Sequence, residues 1–62
     1  MNGKEVCKML RNQRWTLKSI NGSHHIYGKD GQKPVAMPVH GKKDLGKGLV
    51  AAIERQTGVK LI

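Results

Sequence analysis

The sequence predicts an α+β fold of order α-β-β-β-α, a three-stranded antiparallel sheet with two helices on one face. Three observations carry that prediction: an amphipathic run near each end, three short strand-forming runs between them, and compact turn signals that separate those runs. With 62 residues, positions 1–62 make one domain with a thin core.

The first helix starts at Asn2, whose side chain suits an N-cap, and runs to about Gln13. Val6, Met9, Leu10 and Gln13 share its inward face, with Cys7 beside them. The first strand covers Trp15 to Ile20, where polar and apolar residues alternate. Asn21-Gly22 is a tight-turn signal leading into the second strand, Ser23 to Tyr27. A turn at Lys29 to Gln32 precedes the third strand, Pro34 to Val39, which its two prolines confine to an edge. The last helix spans about Leu45 to Thr57. Leu49, Val50 and Ile53 form its inward stripe, Ala51 and Ala52 allow close approach, and Gly58 ends it.

Strand alternation then assigns faces. Trp15 and Leu17 point to the helices, opposite Thr16, Lys18 and Ile20; Val35, Met37 and Val39 do the same, opposite Ala36, Pro38 and His40. If the bulky Tyr27 lies inside, His25 leans inward with it, and His24 turns out with Ile26. His24 and His40 are then both on the uncovered side.

Twelve Lys and Arg against four acids give a formal charge of +8. Such an excess attracts polyanions and releases their counterions on binding. A polyanion is the favoured partner. An acidic protein is also compatible, whereas anionic membrane is disfavoured because the basic residues are scattered through every segment. Cys7 is the single cysteine, so no disulfide forms within the chain; with no secretory signal legible, the expected location is cytoplasmic. A core this thin leaves little room for an enclosed pocket, so chemistry is expected on an open face against a polymer.

An imidazole of ordinary pKa exchanges protons near neutral pH. RNA brings its own nucleophile, the 2′-hydroxyl. A protein need supply only a base for that oxygen, an acid for the leaving 5′-oxygen and cations near the phosphate. His24, just after the turn, is the candidate for that work. His25 reads as a partly buried neighbour. His40 opens the basic loop and has two readings, phosphate contact or shared acid–base work on one hand, loop structure on the other. Ser23 lacks triad partners, the four acids show no pairing suited to magnesium, and three histidines with one cysteine make no zinc pattern, so neither metal nor cofactor is expected.

In Gly41-Lys42-Lys43-Asp44-Leu45-Gly46-Lys47-Gly48, lysines cluster at a helix start, where side-chain charge and free backbone N–H groups together suit phosphate. The spacing is not that of a nucleotide-hydrolysing loop. Trp15 and Tyr27, the only aromatics, both point inward. With no stacking platform left for bases, recognition rests on backbone and shape.

Gly22-Ser23-His24-His25, the stretch Val39 to Leu45, and the helix carrying Lys47-Gly48, Ile53 and Gln56-Thr57-Gly58 resemble the HicA family of toxins over almost the whole chain. The resemblance implies a fold like that of double-stranded-RNA-binding domains and an mRNA interferase activity, held in check by a HicB antitoxin. It places the family's catalytic histidine on His24 and its turn glycine on Gly22. Lys42, Lys43 and Lys47 fall at the phosphate-binding lysines, and with Gly22, Ser23 and His40 they complete the expected RNA contacts. Arg14 departs from the pattern, standing where a glycine often precedes the tryptophan. Gly46 and Leu49 replace a frequent proline and threonine. A non-catalytic RNA-binding module is the alternative, and fragments of labelled RNA formed in chelator distinguish the two.

Overall fold

A computed structural model describes residues 1–61 in the order α1 (Gly3–Asn12), β1 (Thr16–Asn21), β2 (His24–Gly28), β3 (Val35–Pro38) and α2 (Lys47–Thr57). The three strands form one antiparallel sheet in the order β1-β2-β3. This is the predicted α+β arrangement, with each element one or two residues shorter or displaced.

At the start of α1, Asn2 and Glu5 satisfy each other. Asn2 Oδ1 accepts the Glu5 N–H at 2.9 Å, and Glu5 Oε1 accepts the Asn2 N–H at 2.9 Å. Val6, Cys7 and Leu10 form the buried face of α1. Gln13, expected on that face, is instead an exposed C-cap, because the helix stops at Asn12. The stop is a Schellman closure: the Trp15 N–H reaches Leu10 O at 3.0 Å and the Arg14 N–H reaches Arg11 O at 3.1 Å. Arg14 therefore occupies the left-handed position of the motif, with φ 72°, where glycine is the unstrained residue.

Trp15 is fully buried but precedes β1 rather than opening it. The β1–β2 ladder then breaks register between Leu17 and Ser19, so Lys18 is the extra residue of a bulge. The bulge overturns the simple alternation. Leu17 pairs with Tyr27 and Ile20 with His25, so both lie on the helix side of the sheet, and Ile20 is not opposite Leu17 as expected. Neither is covered, however: Leu17 is 44% and Ile20 55% exposed. Both helices lie against β3, and β1 forms the opposite edge, beyond their reach.

The core joins Val6, Cys7 and Leu10 of α1 to Trp15, Tyr27, Val35 and Met37 and to Val50 and Ile53 of α2. Leu49 is 41% exposed, not inward as expected, because α2 begins at Lys47 and turns the Val50–Ile53 stripe to the sheet. Val59 and Leu61 complete that side of the core. They return over it after Gly58, whose left-handed φ of 72° ends α2 as predicted.

Candidate functional site

Asn21 pairs with His24, leaving Gly22 and Ser23 as a two-residue hairpin loop. Gly22 has φ 60° and Ser23 does not share the left-handed region, the pattern of a II′ turn with glycine first. The turn thus sits one residue later than the Asn21-Gly22 signal suggested. It delivers His24 as the first residue of β2, exposed.

Register fixes the direction of that side chain. His24 pairs with Asn21 on one side and Pro38 on the other, while His25 pairs with Ile20 and Met37. Met37 is fully buried beneath the helices, so His25 faces the helix layer and His24 the uncovered side. His25, half-buried, lines a crevice with Lys4, Cys7, Arg11, Tyr27 and Val39. The two adjacent histidines are therefore on opposite faces of the sheet. Asn21, read from the sequence purely as a turn residue, is the polar neighbour of His24 on that face.

The same end of the sheet gathers three more elements. The Val39 N–H bonds to Ser23 O at 2.7 Å, tying the chain leaving β3 to the hairpin loop. α1 begins here too. A side chain on Gly3 would run into the Pro38 carbonyl oxygen, so only glycine lets the helix start sit against the end of β3. Asn2 bridges Asp44, and the Leu45 N–H bonds to Met1 O at 2.8 Å, which folds the basic loop back over the α1 start.

His40 lies in that loop rather than on β3, which ends at Pro38. It is exposed and shares a hollow with Pro38, Lys43, Asp44, Leu45, Gly46 and Leu49. Lys42, Lys43 and Lys47 are exposed, and among the described residues no carboxylate is within ion-pair distance of any of them. Asp44 is drawn instead to the Met1 ammonium group at 3.5 Å. At Gly46 the N-cap of α2 has no side-chain bond and no acid follows in the first turn. The first N–H groups of the helix and its positive dipole end are consequently unneutralised beside Lys47.

Below the sheet, Arg11 Nη1 donates to Tyr27 Oη at 3.2 Å. Burial, together with the neighbouring Cys7, holds the Tyr27 hydroxyl above its ordinary pKa of 10.0, against the lowering effect of Arg11. Among the described residues no group of three or more His, Cys, Asp or Glu side chains is arranged to hold a metal ion. No described helix is long and apolar enough to cross a membrane.

The family model described as HicA toxin of bacterial toxin-antitoxin matches residues 3–59. Neither curated proteins nor solved structures gave a match. The matched span runs from the first residue of α1 to Val59 in the returning tail, and so takes in every element described above. The chain belongs to the HicA family, the ribonuclease toxins of bacterial toxin–antitoxin systems.

Proposed function

We propose that this toxin cuts mRNA with His24 as its general acid–base group, and that a HicB-type antitoxin neutralises it by covering that end of the molecule. One observation supports this above the others. An exposed imidazole on the uncovered face stands at the same end as a lysine-bearing loop and an uncapped helix N-terminus.

The chemistry follows from RNA itself. The strand lies with its scissile phosphate toward Lys42, Lys43, Lys47 and the free N–H groups of α2, which stabilise charge gathering on the phosphoryl oxygens. The 2′-oxygen attacks the neighbouring phosphorus and gives its proton to the imidazole of His24. The bond from phosphorus to the 5′-oxygen breaks, and that oxygen takes up the proton His24 has accepted, which returns the imidazole to its neutral form. The products are a 2′,3′-cyclic phosphate and a free 5′-hydroxyl. Gly22 and Ser23 hold the backbone path that presents His24, and His40 adds a cation or proton donor from the loop. Every group needed is a side chain or backbone amide, so the reaction proceeds without a metal.

His24→Ala should lower RNA cleavage in chelator by about 10²–10⁴-fold. Growth arrest should disappear with it, while the fold and RNA affinity persist. Full cleavage by the folded, contaminant-free variant refutes the assignment. Intact RNA with a retarded band from the unsubstituted protein favours the non-catalytic module instead.

A further inference from the structure

The sheet's uncovered face carries a second cationic feature, at the end remote from the hairpin loop. Arg14, Thr16, Lys18, Gly28, Lys29 and Asp30 line an open groove of about 420 Å³. Two unusual backbone features aim side chains at it. Arg14 holds a left-handed φ of 72°, a conformation that disfavours any residue with a side chain. Lys18 is the extra residue of the β1 bulge, a device that redirects a side chain out of the regular pleat. The Lys18 stem lies across Gly28, where a Cβ would stand 3.0 Å from Lys18 Cε, so the absent side chain makes its bed. Among the described residues no carboxylate comes within ion-pair distance of Arg14, Lys18 or Lys29. Asp30 is the groove's one acid.

The groove shares its face with His24. Gly28 alternates into line with His24 and Ile26 along β2, and Thr16 pairs with Gly28. Gly28 stands four positions along β2 from His24, about 13 Å away. An extended nucleic-acid strand covers that distance in a few nucleotides.

We propose that this groove is a second phosphate site, which grips the RNA backbone a few nucleotides from the bond cut at His24; it rests on the ribonuclease reading given above. Arg14, Lys18 and Lys29 supply the charge, while the Thr16 hydroxyl, donating to the Gly28 carbonyl at 3.3 Å, and the buried Gly28 beneath the Lys18 stem build the floor. The face then works as a track, anchored at one end and reactive at the other.

Affinity for a long single-stranded RNA, measured in the His24→Ala background so that turnover plays no part, tests the groove apart from the catalysis. Arg14→Gly, Lys18→Gln and Lys29→Gln should each weaken binding several-fold and flatten the salt dependence by about 0.7 per lost charge. Lys60→Gln, which removes an exposed lysine outside the groove, should do less than any of them. Asp30→Asn should tighten binding. Arg14→Gly should also raise the melting temperature by relieving the left-handed backbone, so its weaker binding is not a folding defect. Groove variants that bind like Lys60→Gln overturn the proposal, as does loss of antitoxin binding with RNA affinity intact, which makes the groove a site for acidic protein. RNA fragments appearing in the His24→Ala samples count against the catalytic assignment and leave the groove result standing.

Discussion

Tyr27 shows how one buried hydroxyl sets both geometry and a pH limit. Its burial fixes the parity of β2, and that parity turns His25 under the helices and His24 out. The same burial, with Cys7 beside it, favours the neutral phenol over the phenolate. The folded-state pKa is raised, so this contribution to stability is complete below pH 10.0, the unfolded value, and falls as pH climbs through the folded one. Chemical denaturation as a function of pH should show the loss above about pH 10 and none near neutrality. Tyr27→Phe should abolish that alkaline slope while lowering neutral stability by about 1 kcal/mol through the lost Arg11 bond. The facing of His24 was legible in the sequence because Tyr27 and Ile26 compete for one interior from opposite sides of the strand, and the bulkier aromatic takes it, carrying His25 inward and leaving His24 outside. Arg14's left-handed backbone was legible only as a departure from a family pattern, since the closing bonds to Leu10 and Arg11 belong to the folded chain.

The elements divide according to how much of their cause is local. α1 was readable to within a residue because Asn2 is a capping residue standing directly before an amphipathic run; its reciprocal bond with Glu5 is the structure's addition. β1 was not. Alternation says which side a residue takes, but it neither signals an inserted residue such as Lys18 nor reveals how far the helix layer extends. Leu17 and Ile20 are consequently apolar residues of β1 whose surroundings differ from expectation. α2 is local at its end, Gly58, and underdetermined at its start, where Gly46 leaves the cap empty. That empty cap makes opposite demands on stability and function. Gly46 has φ −68° and ψ 154°, a conformation open to any cap residue, and a Cβ there meets nothing within 4 Å. Gly46→Asp should stabilise the fold by roughly 0.3–1 kcal/mol, read by thermal or denaturant unfolding. The same carboxylate should weaken RNA binding by occupying the amides meant for phosphate. Unchanged binding alongside the gain in stability counts against an anion at this helix end.

At the scale of the whole molecule, a charge of +8 makes association with RNA a matter of ionic strength. Replacing Lys42 and Lys43 together by Gln should flatten the dependence of log affinity on log salt by about 1.4, twice the single-strand contribution of one contact. Titrations at several salt concentrations with unrelated RNAs check this, and a loss confined to one sequence refutes a backbone role. The sheet is wider than its two helices, and that mismatch has a consequence for handling the protein. β1 ends the sheet with open backbone groups and two leucine-sized side chains in water, the makings of a seed for self-pairing. Lys18 interrupts the border with a kink and a charge. Deleting that one residue would leave Leu17 and Ile20 on their present side and straighten the border into a regular docking strip. Light scattering of the deletion variant should then rise with concentration where the parent solution stays clear: the irregular residue acts as a guard against clumping.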